Sequence, residues 1–101
     1  MKAGSRWRSA VDTTEVIVVK APADDLELEC GGAAMVEAAD AGAPSGSVDP
    51  AHNAGTQLGK RYVDDGDAGL EVLCTKAGPG SLAVDGRALV LKEAKPLPSS
   101  D

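Results

Sequence analysis

The chain has 101 residues and a formal net charge of -6, from 16 acidic and 10 basic side chains. This length suits one small domain, and an apolar fraction of 43% excludes an ordinary disordered tail. The acidic balance argues against nucleic acid and anionic membranes as partners, because both are bound through Lys and Arg. With no Phe, one Trp and one Tyr, any core must be small and aliphatic.

The start of the chain predicts its compartment. The residues that follow Met1 are basic and polar, without the apolar run of a secretory signal. The longest apolar run, residues 16–19, is far shorter than the roughly 20 residues that span a bilayer. We therefore expect a cytoplasmic protein with no membrane partner. In a reducing compartment Cys30 and Cys74 are expected to be free, buried thiols, although their spacing leaves a disulfide open.

Strand signals dominate the first half of the chain. Residues 15–20 are dense in β-branched side chains and too short for a helix. Residues 26–30 alternate apolar and acidic side chains, which is typical of a strand with one solvated face. Residues 33–41 could form one or two turns of helix. Residues 39–59 are rich in Gly, Pro, Ser and Asp and predict a flexible linker or long surface loop.

The second half also predicts strands. Residues 60–63 and 70–74 flank a turn-rich segment that suits a hairpin loop. Residues 82–91 carry Asp85-Gly86 at their centre, a strong signal for a two-residue hairpin turn. The Gly-rich residues 77–80 are interpreted as a further hairpin turn.

The two halves resemble each other. A shift of 54 positions aligns residues 16–36 with residues 70–90 without a gap. Six pairs in that window are identical, among them Val18/Val72, Leu28/Leu82, Gly32/Gly86 and Val36/Val90. An internal repeat of this kind predicts two similar supersecondary units that share one core.

The predicted fold is therefore all-β, a single small domain of two ribbon-like hairpin units related by a pseudo-twofold axis. The predicted parts are a first unit at 6–38, a flexible linker at 39–59, a second unit at 60–94 and an extended tail at 95–101. The tail cannot be helical across its two prolines.

Each half also follows a longer pattern. It consists of an aromatic residue, a short polar loop, a strand, a Gly/Pro-rich turn and a segment of the form Leu-x-x-x-Gly-x-Ala-[Met/Leu]-Val, which residues 28–36 show in the first half. This pattern resembles the desulforedoxin and rubredoxin-like metal ribbons. In those families an aromatic residue precedes Cys-x-x-Cys, and a hairpin leads to Cys-Cys-Gly-x-x-Met. The resemblance implies a degenerate tandem β-ribbon.

The resemblance also has a consequence for metal binding. Cys30 is the one ligand cysteine retained, and the Cys-x-x-Cys positions carry or adjoin Asp12 in the first half and Asp64 and Asp67 in the second. A four-cysteine iron or zinc site cannot be assembled from these residues, so the resemblance implies a ribbon without a cofactor. The alternative is a redox or metal-binding protein that holds iron or zinc with Cys30, Asp12, Asp64 and Asp67.

Candidates for catalysis are few. His52 is the one histidine and lies in the predicted linker, where a solvated loop histidine is expected. A small enzyme with Cys74 as nucleophile is an alternative, but with His52 as its base the linker would have to order around a substrate. Because no segment supplies a nucleophile, a base and a shaped pocket together, no catalytic residue is predicted.

The two aromatic residues each follow an arginine, at Trp7 and Tyr62. They either close the two ends of the core, or form with Arg8 and Arg61 an exposed basic edge that anchors a partner. Trp, Tyr and Arg are frequent in binding hot spots. The sequence thus predicts a small, non-enzymatic accessory protein that binds another protein, with Trp7, Arg8, Arg61 and Tyr62 at the contact. A homodimer is one form of such a contact.

Overall fold

The computed structural model describes residues 2–21, 26–40, 42–64 and 69–92. Within these residues the regular structure consists of strands and two 3-10 turns, at Ala38–Asp40 and Pro50–His52. The strands are β1 Arg6–Arg8, β2 Glu15–Lys20, β3 Leu28–Cys30, β4 Ala33–Ala34, β5 Val36–Glu37, β6 Arg61–Asp64, β7 Glu71–Lys76, β8 Leu82–Val84 and β9 Arg87–Leu91. The predicted all-β fold is confirmed.

These strands form one antiparallel sheet in the order β4-β3-β8-β9-β6-β7-β2-β1-β5. β4 and β5 stand at opposite ends of this order, yet only Met35 separates them along the chain. The sheet therefore curls until its ends meet and forms a nearly closed barrel. Closure protects strand edges that a flat sheet of this size would expose.

The core fills the inside of the barrel. Successive side chains of a strand point to opposite faces, and on β2 the inward positions Val16 and Val18 are buried while their neighbours are only half-buried. Val72 on β7, Tyr62 on β6 and Met35 pack into the same cluster. As the composition predicted, the core is mainly aliphatic: eight of the twelve residues in the buried cluster are Val or Leu.

The predicted hairpin turn at Asp85-Gly86 is present between β8 and β9. Its φ angles are +47° at Asp85 and +81° at Gly86, the left-handed values that a two-residue type I′ turn requires. The hairpin of β3 and β4 has the same construction, with Gly31 and Gly32 at +65° and +87°. These turns match the right-handed twist of the strands that they join.

The pairing registers arrange the strands of the two halves in a similar way. Ile17 lies opposite Leu73 in the middle of the β2–β7 ladder, with one irregularity on each side of this pair. Glu29 lies opposite Ala83 in the middle of the β3–β8 ladder. In the first half β1 pairs with both β2 and β5. In the second half β6 pairs in the same way with both β7 and β9. This geometry suits the predicted repeat, and the repeat itself stays a prediction.

Residues 42–59 run across the barrel and are hydrogen-bonded to both halves. The amide of Asp49 donates to the carbonyl of Gly31 in the first half, at 2.9 Å. The amide of Thr56 donates to the carbonyl of Gly78 in the second half, at 3.0 Å. The segment predicted as a linker therefore packs against the barrel.

Two segments differ from their predictions. Residues 77–80 are not a hairpin turn, because they join β7 to β8, which are not neighbours in the sheet. Residues 33–37 form β4 and β5, and only the following three residues are helical. The predicted extended tail at 95–101 lies outside the described residues.

Candidate functional site

The four residues predicted to anchor a partner lie on two sides of the sheet. Tyr62 is only 7% exposed and belongs to the core, and Trp7 packs against that core. Arg8 and Arg61 occupy the positions next to these aromatics and therefore point outward. Tyr62 is too buried for an exposed anchor, because it packs within the core cluster. Of these four residues, only Arg8 and Arg61 lie together on an accessible face.

We call the outward positions of β1, β2, β6, β7 and β9, with the residue that follows β9, the outer face. Alternation places the basic residues Arg6, Arg8, Arg61 and Lys92 on this face. Lys20 and Lys76 join them because the two irregularities of the β2–β7 ladder bring them opposite Glu71 and Glu15. The larger aliphatic members include Ile17, Val63, Leu73 and Val90, and the acidic members are Glu15 and Glu71.

The registers align these residues in transverse rows. In one row Val90 lies opposite Val63, Val63 opposite Glu71, and Glu71 opposite Lys20. The row crosses four strands, a width of about 14 Å at ordinary strand spacing. It has an aliphatic half and a charged half.

The neighbouring row is aliphatic at its centre. Arg61 lies opposite Leu73, Leu73 opposite Ile17, and Ile17 opposite Arg6. The amide of Lys92 donates to the carbonyl of Arg61 at 2.8 Å and so extends the row. The row thus places two half-buried aliphatic side chains between basic ends.

The two carboxylates of the outer face are held between cations. Glu71 Oε1 lies 2.8 Å from Lys92 Nζ, and its Oε2 lies 3.2 Å from an Arg61 guanidinium nitrogen. The hydrogen bond from Lys92 is the main reason that the pKa of Glu71 is below its ordinary value. Glu15 lies 3.6 Å from Lys76 and 4.0 Å from Arg8. Each carboxylate is therefore paired with two cations from neighbouring positions of the sheet.

A second group of polar side chains lies inside the barrel around Asp12. Its Oδ1 accepts from the amide of Thr14 at 2.9 Å and its Oδ2 accepts from the amide of Gly80 at 2.5 Å. Burial raises the pKa of Asp12, but these bonds and those of the neighbouring hydroxyls outweigh burial and hold the pKa below its ordinary value. Asp12 thereby ties the β1–β2 loop to residues 77–80.

Both cysteines are free and buried, as the sequence predicted. The Cys30 thiol donates towards Asp12 Oδ1 at 3.9 Å, and the Cys74 thiol donates to the carbonyl of Lys76 at 3.2 Å. Burial raises the pKa of Cys30 to about 11 and also raises the pKa of Cys74. Because the thiolate is the nucleophile, these surroundings oppose nucleophilic chemistry at neutral pH.

The structure brings together only part of the set predicted as metal ligands. Cys30 and Asp12 are neighbours, whereas Asp64 forms an ion pair with Arg87 at 2.8 Å. Asp67 lies outside the described residues. Across the described ranges, no group of three or more His, Cys, Asp or Glu side chains is arranged to hold a metal ion.

An open groove of about 560 Å³ lies between β9 and residues 51–57. His52, Tyr62 and Ser81 are among its lining residues. Ser81 Oγ accepts from the amide of Ala54 at 2.7 Å, and Tyr62 Oη accepts from the amide of Gln57 at 2.9 Å. These hydroxyl oxygens therefore hold the loop against the barrel.

Sequence reasoning found the arginines of the outer face but missed its lysines. β2 and β7 both begin with Glu and end with Lys, as Glu-Val-Ile-Val-Val-Lys and Glu-Val-Leu-Cys-Thr-Lys. Alternation from the buried Val16 and Val72 would have placed Glu15 and Glu71 outward. The shared ends of the two strands are the signal that could have located Lys20 and Lys76.

No family model, no curated protein and no solved structure matches this chain. In the part of the chain that the structure describes, helices long and apolar enough to cross a membrane are absent. Function must therefore be argued from the outer face and the interior polar group themselves.

Proposed function

We propose that this protein is a small, non-enzymatic accessory protein that acts by binding another protein through its outer face. One observation carries the proposal: the registers place a patch of aliphatic side chains at the centre of a broad strand surface, with arginines and lysines around it. Ile17, Leu73 and Val63 are half-buried and Val90 is 40% exposed. An apolar centre within an arginine-containing rim is the usual composition of protein–protein interfaces.

The proposal assigns no catalytic role to either thiol and places the protein in the cytoplasm. Its support is the raised pKa of Cys30 and Cys74 and their complete burial. Free thiols are also the ordinary state of cysteines in a reducing compartment.

Site-specific photo-crosslinking in the native cell tests the proposal. A photoreactive phenylalanine derivative replaces Val90 on the outer face, and a control replaces Ala34, an exposed residue of β4 on another wall of the barrel. We expect one discrete adduct from position 90 and none of that mass from position 34. The captured protein is then purified and its dissociation constant for the unmodified chain is measured.

Three results would contradict the proposed function. The first is equal capture of the same protein from positions 90 and 34. The second is failure of the purified captured protein to bind the unmodified chain, and the third is binding that Leu73→Asp leaves unchanged. Leu73 lies at the centre of the outer face opposite Ile17, so a contact on this face must be sensitive to a charge at that position.

A further inference from the structure

We infer that the partner presents an acidic protein surface to the outer face, an inference that rests on the proposed function. One arrangement carries the inference: on the outer face, six half-exposed or exposed cations lie beside two shielded carboxylates. The protein as a whole is acidic. The consequence is a specific chemistry for the partner: carboxylates on both sides of an apolar contact.

The charge on the outer face is opposite to that of the chain. Among the described residues, this face carries six basic side chains and two acidic ones. The described residues of this face therefore sum to a charge of +4, on a molecule whose net charge is -6. Such separation of charge orients an approaching partner and favours an acidic surface over a basic one.

Burial makes this contrast stronger than the count of charges alone. The side chains of Glu71 and Glu15 are 4% and 15% exposed, whereas those of Arg61, Lys92 and Lys76 are 53%, 44% and 66% exposed. The carboxylates lie beneath the cations that bind them, so a partner meets the cations first. The side chain of Arg61 can donate further N–H groups to a carboxylate of the partner.

The cations form two groups on either side of the Ile17–Leu73 pair. Glu71 lies opposite Lys20, and Glu15 lies opposite Lys76, at the two ends of the β2–β7 ladder. Each end thus presents a lysine beside a carboxylate that is already paired. A complementary partner would place one acidic group at each end and an apolar side chain between them.

Nucleic acid fits this face less well than an acidic protein. Proteins that bind single strands stack bases on aromatic rings, but Tyr62 is buried and Trp7 packs against the core. Ile17 and Leu73 at the centre add nothing to phosphate binding, which depends on cations and hydrogen-bond donors. The remaining negative charge of the chain also repels an extended polyanion.

An NMR titration of the isotopically labelled full chain tests the inference with three probes. They are a peptide with two glutamate blocks flanking a leucine pair, the same peptide with lysine in place of glutamate, and a short DNA duplex. We expect the acidic peptide to shift the amide signals of Ile17, Leu73 and Arg61 and to bind at least about tenfold more tightly than the lysine peptide. Its affinity should fall about tenfold when salt rises from roughly 0.05 to 0.3 M.

A pair of double variants links the binding to the outer face. Arg6→Gln with Lys20→Gln removes two cations of the face that form no salt bridge within the described ranges. Lys2→Gln with Lys60→Gln removes the same charge from exposed positions off the face. We expect the first variant to weaken binding of the acidic peptide several-fold and the second to change it less than twofold.

Three outcomes would overturn the inference: equal or tighter binding of the lysine peptide, no binding of the acidic peptide, or equal effects of the two double variants. Preference for the duplex would overturn it too and would identify a nucleic-acid partner. Capture from position 90 does not depend on the charge of the partner, so the proposed function would survive each of the first two results.

Discussion

Asp12 shows how much of this fold depends on a single side chain. Its carboxylate accepts the amides of Thr14 and Gly80, which belong to loops far apart in the sequence. Ser9 supports the same loop, since its hydroxyl accepts the amides of Val11 and Asp12. Buried backbone amides need such acceptors, and their loss exposes the full cost of desolvation.

Asp12→Asn should lower the free energy of unfolding by about 1–3 kcal/mol at neutral pH, because one amide N–H would then face a donor instead of an acceptor. Urea unfolding measures this. The pKa of Asp12 is lower in the folded protein than its ordinary 3.8, so its contribution to stability is present above that value and is lost as the pH falls through the folded pKa. The difference between wild type and variant should therefore shrink below about pH 4. A constant difference would contradict the assignment.

Gly80 is the second residue on which the interior group depends. A Cβ at this position would lie 2.6 Å from Asp12 Oδ2 and 3.0 Å from Cys30 Sγ. Gly80→Ala should therefore destabilise the protein by about 1–3 kcal/mol through overpacking. Gly42→Ala is the matched control, because a Cβ there would meet nothing within 4 Å. Equal unfolding midpoints in urea for the two variants would show that residues 77–80 do not cover Asp12.

At the scale of elements, the two-residue turn of the β8–β9 hairpin is the local structure with the most specific backbone requirement. Gly86 adopts a φ of +81°, where an L-residue with a side chain is strained. Gly86→Ala should lower the free energy of unfolding by about 1–2 kcal/mol. Asp85→Asn should change it by less than about 0.5 kcal/mol, since Asn tolerates positive φ and keeps an acceptor for the Glu27 amide. Thermal unfolding compares the two, and a larger loss for Asp85→Asn would contradict the turn assignment.

Local patterns could predict the longer strands and this turn. Residues 15–20 were predicted as a strand and form β2 with the same bounds, because six residues suffice for a β-branched pattern. β4 and β5 have two residues each, too few for any periodicity. They exist because β1 and β3 offer them unpaired edges, a tertiary contact that the local sequence does not contain.

At the scale of the whole molecule, closure of the sheet decides which residues can form a site. The sequence could place Arg8 and Arg61 beside aromatic residues, but it could not show whether the arginines or the aromatic residues lie on the inner face. That distinction depends on which face closes inward, and closure depends on pairings between distant strands such as β2 with β7. The shift of 54 positions also does not align Glu15 with Glu71, so the similar ends of β2 and β7 were not visible in that comparison.

The same closure makes the two thiols reporters of global unfolding. Cys30 and Cys74 are 0% and 1% exposed and belong to β3 and β7, which do not pair with each other. If the barrel opens only as a unit, both thiols should react with iodoacetamide at one shared rate, at the denaturant concentration where circular dichroism reports unfolding. Mass spectrometry of partly alkylated protein checks this. When alkylation is faster than refolding, each chain that unfolds is modified at both cysteines, so a shared rate produces mostly unmodified and doubly modified chains. Single modification of Cys74 under native conditions would instead show that β7 opens alone, and would revive the alternative in which this thiol is a nucleophile.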